Sequence, residues 1–415
     1  MKSNAQYKRI LFYKRYIMKL TIIGNEEIAS ERLNFIISDL KANAQCQIEL
    51  KVNYSWYMGG MYSSAAYQAD ERGTVDLSKE IPVKREYEIA NSMGLFAILE
   101  NEKGRFESKR DRDYTKEYIL CTLSVRCDDE KVSRTIKRHF SQSDVSCVEP
   151  EELTGRYFYH VDKKRRNKIL LLGGSEYSMN AISPLAASLT RNGSDVLLLD
   201  YSRGKKFVPI PIERVQEAIQ WLKKEETDQL CVIGMSKGAE LALFSASKFV
   251  GIDKVVAISP GEYIYQNPWS LGSSWKYQGR RVPYVHLWVL PILDFYKNLV
   301  FSFLGLPTGY LISYQLGTAM ELFKRKKRIP VEEIDAEICL IAGGKDTVWQ
   351  SKKSVMNIAQ NRKDKNDKVY LYEKCGHVFD IPFVFGSNDN NGGNILDNMN
   401  ACEDVWKKVN DFLQG

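Results

Sequence analysis

The feature that most constrains this chain is the stretch 229–244, QLCVIGMSKGAELALF. It opens with a short apolar run, Leu230–Ile233, that predicts a buried strand. It then passes through G-x-S-x-G and leaves with apolar residues at Leu241, Leu243 and Phe244, as a buried helix would. A strand that turns directly into a helix through this motif is a nucleophile elbow. The turn holds its serine in a strained backbone conformation, so the positions two residues to either side must be small; Gly234 and Gly238 meet that need. It lifts the Ser236 hydroxyl to the top of the sheet and leaves the backbone N–H of Lys237 free to face a developing oxyanion.

A serine hydroxyl is a weak nucleophile at neutral pH and needs a base within hydrogen-bond reach and a carboxylate to orient that base. On an elbow-bearing sheet these follow in the chain order Ser, Asp or Glu, His. Ser236, Asp346 and His377 come in that order, and Asp346 and His377 each follow an apolar run that predicts a strand, Glu337–Ala342 and Val369–Tyr372. The chain has four histidines. His139 lies far upstream, His160 lies in a polar stretch before the first strand of this half, and His286 precedes Asp346, which leaves His377 as the base. Asp200 precedes the elbow and Asp380 is only three residues past His377, so Asp346 is the orienting carboxylate. Cys375 has no elbow and reads as structural. A second oxyanion donor is expected from the turn Gly173-Gly174-Ser175-Glu176, through the backbone N–H of Gly174 or Ser175, with the Glu176 side chain pointing away. No metal-ligand spacing or phosphate loop accompanies these residues, so neither metal nor cofactor is expected.

Around this site the chain divides in two. From about 22 to 147, short runs such as Cys46–Val52 and Tyr118–Val125 alternate apolar with polar at period two and are separated by Gly, Asn and Asp, which predicts an all-β, immunoglobulin-like sandwich over 18–150 without a catalytic group. Residues 1–17 read as an extension and 151–167, rich in charge, as a linker. From 168 to 415 strands alternate with helices: Lys168–Leu172, a helix from Ala181, Asp195–Asp200, a helix from Val215, the elbow, Lys254–Ile258, the two strands already named, and a closing helix Met399–Leu413. That pattern predicts a mostly parallel sheet covered by helices on both faces; with the elbow inside it, the fold is α/β hydrolase. The alternation lapses over about 261–328, an insertion rich in Trp, Tyr, Phe, Leu and Pro. It reads as a lid whose apolar side chains line a pocket, and its closing run Lys324–Arg328 reads as a solvated helix end.

Composition excludes several classes. A chain of 415 residues with 44% hydrophobic content can bury two sizeable cores. The net charge of +7 is too mild for a dedicated nucleic-acid binder. Eight dispersed cysteines predict a reducing, cytoplasmic setting, and the basic N-terminal stretch lacks a signal peptide's apolar core. His286–Ser313 comes nearest to a membrane segment, but Asp294, Lys297 and Asn298 interrupt it and prolines interrupt or flank it, so no span is expected.

Over nearly its whole length the chain resembles the acyl-CoA thioesterase and bile acid-CoA:amino acid N-acyltransferase family. The residues that carry the likeness are Trp56, Tyr62–Tyr67, Ala69-Asp70, Gly73–Leu77 and Met93–Phe96 in the first half. In the second half they are Gly234–Gly238, Ile329–Glu332, Ile341–Asp346, Trp349 and Cys375–His377. The resemblance implies a β-sandwich before an α/β-hydrolase domain, a Ser/Cys–Asp–His triad, an acyl-CoA substrate and a place in lipid metabolism. It also implies that thioesterase members carry serine at the elbow and amino-acid-conjugating members cysteine, so Ser236 points to hydrolysis. Acyl transfer to an amine or alcohol, and carboxylesterase or peptidase activity, are the alternatives. The Gly173-Gly174 run is shorter than the family's glycine run.

Overall fold

The computed structural model describes residues 17–415 apart from 85, 103–106, 109–111, 163–164, 176–177, 206, 268–271, 364 and 388. Residues 1–16 of the expected extension and Glu176 of the oxyanion turn therefore lie outside the described residues.

The first part is β-rich, with one short helix at Gly94–Ala97. Strands β1 (Lys19–Ile23), β2 (Asn34–Ser38), β3 (Gln45–Tyr54), β4 (Gly60–Gln68), β5 (Val75–Asp76), β6 (Glu100–Asn101), β7 (Tyr118–Cys127) and β8 (Glu130–His139) form two antiparallel sheets, ordered β1-β2-β5 and β8-β7-β3-β4-β6. In β3 and β7 every second side chain is buried, as the period-two pattern requires. Phe35 and Ile37 of one sheet share a core with Ile48, Leu50 and Val52 of the other.

The second part is built on one eight-stranded sheet, beside a small three-stranded one of Ile210–Pro211, Trp275–Tyr277 and Arg280–Arg281. The strands of the larger sheet are β9 (Val145–Val148), β10 (Gly155–His160), β11 (Asn167–Leu172), β12 (Asp195–Leu199), β13 (Gln229–Met235), β14 (Lys254–Ile258), β15 (Glu337–Gly343) and β16 (Lys368–Tyr372). They lie in the order β9-β10-β12-β11-β13-β14-β15-β16, antiparallel as far as β12 and parallel from there to β16. Its helices are α1 (Met179–Leu189), α2 (Glu213–Leu222), α3 (Lys237–Ala246), α4 (Leu290–Phe303), α5 (Leu311–Met320), α6 (Ser351–Asn361) and α7 (Ile395–Gln414).

The central strands are buried on both faces, so alternate residues enter two separate cores. Ile169, Leu171, Cys231 and Ile233 pack with α1, α7 and the sandwich; Leu170, Leu172, Leu230 and Val232 pack with α2, α3 and α6. This is the doubly covered parallel sheet of an α/β hydrolase, preceded by a β-sandwich.

The stretch 151–167 is not a linker. Its charged flanks hide the alternating Gly155–His160, which pairs antiparallel with β12. A buried polar cluster holds this strand: Asp195 accepts from Lys168 Nζ at 2.8 Å, Tyr157 OH at 3.0 Å and His160 N at 3.1 Å. Val145–Val148, expected inside the sandwich, joins the same sheet through β10.

The sandwich grips the segment that follows His377. Tyr54 stacks on Phe385 with ring centroids 5.2 Å apart, and its buried hydroxyl donates to Val384 O at 2.7 Å. Arg32 forms a forked pair with Glu403 on α7, its shorter arm 2.6 Å, and also donates to Asn91, Ser92 and Asn400. Removing only the hydroxyl of Tyr54 leaves a buried carbonyl without that donor. Tyr54→Phe should therefore lower the unfolding free energy by about 1–2 kcal/mol, read from the denaturant midpoint at unchanged slope. An unchanged midpoint would show that the sandwich does not brace this segment through that bond.

Candidate active site

Between β13 and α3 the backbone of Ser236 takes φ 53° and ψ −117°, a conformation that costs a non-glycine residue on the order of 1–3 kcal/mol. Bonds on both sides hold it there. Ser236 N donates to Ile258 O at 2.8 Å, and Ser236 O accepts from Ala239 N at 2.9 Å and Glu240 N at 3.1 Å. A Cβ on Gly234 would run into Gly238 O, and one on Gly238 into the carbonyl oxygens of Leu172 and Gly173. The glycines are thus required by close backbone approach, as the motif predicts.

Three side chains from three loops at the carboxyl edge of the sheet meet at this point. His377 Nε2 lies 2.8 Å from Ser236 Oγ, and His377 Nδ1 lies 2.7 Å from Asp346 Oδ2. Asp346 follows β15 and His377 follows β16. The two loops are tied by Gly344 N to Tyr372 O at 2.9 Å and Lys345 N to Cys375 O at 2.8 Å. An ionised carboxylate only accepts, so the bond to Asp346 requires the ring proton on Nδ1 and leaves Nε2 to accept from the serine. Asp346 and His377 are buried and Ser236 is half-buried.

Asp346 has further donors. Its Oδ1 accepts from Val348 N at 2.8 Å and Trp349 N at 3.2 Å, and its Oδ2 also accepts from Ser351 Oγ at 2.5 Å. Trp349 Nε1 donates to Ser259 O at 3.0 Å, and Ser259 Oγ donates to His377 O at 2.7 Å. Sequence reading did not single out Ser351 or Ser259. Ser351 sits at the start of α6, five residues after the carboxylate, and that short spacing was a usable signal; Ser259 had none, because its partner is 118 residues away.

On the oxyanion side, Lys237 is the first residue of α3, so its N–H has no carbonyl one turn earlier to bond. Gly173, Gly174 and Ser175 line, with Lys237, Tyr201 and Trp275, a cavity of about 270 Å³. The Lys237 ammonium does not face this cavity as a free charge. It is paired with Glu240 Oε1 at 2.7 Å and Oε2 at 2.8 Å, and Glu240 also accepts from Trp275 Nε1 at 2.7 Å. Burial pushes the lysine's pKa down and the glutamate's up, and each charge opposes the shift of the other. Paired in this way, the side chain brings no free charge to the cavity. Glu240 was also missed by sequence reading; a glutamate on an otherwise apolar helix was its signal.

The rival residues lie elsewhere. Asp200 accepts from Ser202 and Arg203 in its own turn. Asp380 is half-buried and accepts from Ile381 N, and desolvation raises its pKa. Cys375 Sγ donates to Asp397 O, and burial pushes its thiol up to about 12. His160 faces Asp195, His286 faces Glu321, and His139 lies in the sandwich strand β8. The insertion departs from its expected role. Among the described residues only Asn267, Ser274 and Trp275 of it line the cavity, while the apolar side chains of α4 face outward.

Comparison with known proteins places both parts of the chain in one family. The family model described as the acyl-CoA thioester hydrolase/BAAT N-terminal region matches residues 30–152, and the one described as the BAAT/acyl-CoA thioester hydrolase C terminal matches residues 210–415. Acyl-coenzyme A thioesterase 2, mitochondrial, of Rattus norvegicus is 23% identical over 84% of this chain and 78% of its own length. Bile acid-CoA:amino acid N-acyltransferase of Mus musculus is 23% identical over 95% of this chain and 97% of its own length. Among solved structures, an esterase of Pyrococcus furiosus matches 65% of this chain and 90% of its own at 18% identity, with a TM-score of 0.40.

The elbow geometry has a direct test. Gly238→Ala places a methyl group against two backbone carbonyls, so the turn must shift. It should cost about 1–3 kcal/mol of stability and slow the labelling of Ser236 by a fluorophosphonate. Wild-type labelling at a wild-type melting midpoint would show that the clearance is not needed.

Proposed function

The chain belongs to the acyl-CoA thioester hydrolase/BAAT family, and from that premise we propose that it hydrolyses acyl-CoA thioesters to a carboxylic acid and CoA through an acyl-enzyme on Ser236. The observation that carries the reading is the unbroken hydrogen-bonded series Ser236–His377–Asp346 at the elbow.

The steps follow from the geometry. His377 Nε2 takes the Ser236 proton as Oγ attacks the thioester carbonyl. The imidazolium that forms is stabilised by Asp346, whose carboxylate is held in place by Val348 N, Trp349 N and Ser351 Oγ. The tetrahedral oxyanion is held by the backbone N–H of Lys237 and, across the cavity, by that of Gly174 or Ser175. Collapse breaks the C–S bond, and His377 returns its proton to the departing CoA sulfur. Water then attacks the acyl-serine with His377 again as base, and the acid leaves.

Relatives of comparable identity include two amino acid N-acyltransferases, and in a transferase reading of this chain an amine would replace water in the second step. Serine bears on the choice. An acyl-serine is an oxygen ester, less activated toward amines than the thioester a cysteine would form, so water activated by His377 is the matched acceptor.

Ser236→Ala and His377→Ala should each lower acyl-CoA turnover by on the order of 10³-fold or more, with the double variant little worse than either alone. Near-wild-type hydrolysis by folded Ser236→Ala protein would end the assignment. Ser236→Cys should still be acylated, should hydrolyse its acyl-enzyme more slowly, and should pass a larger share of acyl groups to added glycine. If the wild-type protein already makes mostly conjugate at the same glycine concentration, the transferase reading replaces this one.

A further inference from the structure

The hairpin of α4 and α5 is built inside out. Along α4 the charged and amide residues, Asp294, Lys297 and Asn298, turn toward the protein. Asp294, 4% exposed, is paired with Lys297 Nζ at 2.6 Å and accepts from Ser313 N at 3.0 Å and from Ser313 Oγ. Asn298 Oδ1 accepts from Gly309 N at 2.9 Å. The apolar residues between them face outward: Ile292, Leu293, Phe295, Leu299 and Phe303 are all exposed, Leu299 by 65% and Phe303 by 91%. A surface helix normally shows the reverse arrangement. An apolar face this continuous marks a surface that is covered by something else.

Charge indicates what covers it. Residues 288–328 contain two acids, Asp294 and Glu321. Both are turned inward and paired, Glu321 with Lys327 at 2.5 Å and His286 at 3.2 Å. The hairpin leads directly into the 3₁₀ turn Lys324–Lys327, where Arg325 and Lys326 are exposed. Among the described residues of this segment, then, the exposed charges are cations, and they adjoin an apolar face that includes the exposed amphipathic rings of Trp288 and Tyr296. An apolar face with aromatic rings and a cationic border matches the headgroup region of an anionic bilayer. A second copy packed on the same patch would instead bring two cationic borders to one interface without an exposed acid from this segment to pair them. No helix among the described residues is long and apolar enough to cross a membrane, so the contact is with the bilayer surface.

We propose that the α4–α5 hairpin docks this protein on anionic phospholipid membranes, with α4 lying in the interface. The turn end of the hairpin, where α5 begins, is tied to the site: Leu311 N donates to Thr347 O at 3.0 Å, one residue past Asp346, and Tyr314 packs on Trp349 with ring centroids 5.3 Å apart.

The test is flotation of the full chain with phosphatidylcholine vesicles containing about one-third phosphatidylserine, against phosphatidylcholine alone. Wild-type protein should float with the anionic vesicles, and raised salt should weaken the association. The double variant Leu299→Asp/Phe303→Asp and, separately, Arg325→Gln/Lys326→Gln should each reduce binding at least about tenfold while keeping the wild-type circular dichroism and melting midpoint. The second pair is exposed, so it keeps the test valid if the first variant misfolds. Wild-type protein that stays in solution with anionic vesicles overturns the proposal. So does a dimer, seen by light scattering, that Leu299→Asp/Phe303→Asp dissociates while vesicle binding is absent; the face would then belong to a second copy.

Discussion

A single methyl group on Gly238 would drive into the carbonyl oxygens of Leu172 and Gly173, and the catalytic half of this protein is arranged around that lack of space. The end of β11 and the start of α3 approach so closely that only hydrogen fits between them. This approach accompanies the positive φ of the turn at Ser236, and it sets Lys237 and the Gly173–Ser175 turn around one cavity. The strain is local and its support is not. Ser236 N is held by Ile258 O on the next strand, so β14 must be in register before the elbow can form.

The placement of His377 and Asp346 depends on further bonds that cross the fold. Asp346 is held by two backbone donors and the Ser351 hydroxyl, and His377 is held from behind by Ser259, which is itself fixed by the Trp349 indole. These are short bonds between groups mostly shielded from water, where a satisfied polar network is rigid and a broken one is costly. The sandwich extends the same bracing. Through Tyr54 and Arg32 it clamps the segment after His377 and the closing helix α7, although it contributes none of the three residues that meet at the elbow. A domain that contributes none of those three residues can thus still brace the segment that carries His377.

The insertion between β14 and β15 works by a different logic. One part of it lines the cavity with Trp275, while α4 turns its polar side inward and its apolar side out. Burying Asp294 is tolerated because Lys297 and Ser313 satisfy it. The protein has spent hydrogen bonds to keep a hydrophobic face exposed, and such an arrangement is explained by what the face meets rather than by the stability of the isolated chain.

The elbow, the order Ser236, Asp346, His377, and the change from an antiparallel sandwich to a helix-covered parallel sheet were all legible in the sequence. Each rests on local spacing: a motif within five residues, a period of two, or strands and helices in succession. The strand Gly155–His160 was not legible, because charged neighbours masked its alternation and its reason to exist, the buried Asp195, lies 35 residues further on. The support from Ser259, the clamp from Tyr54 and the neutralisation of Lys237 by Glu240 and Trp275 were likewise decided by tertiary structure. So was the outward turn of α4, since an amphipathic pattern states that a helix has two faces but not which one the fold will bury. Periodicity and turn chemistry act between neighbours in the chain, whereas hydrogen-bond satisfaction and burial are settled between residues that only folding brings together.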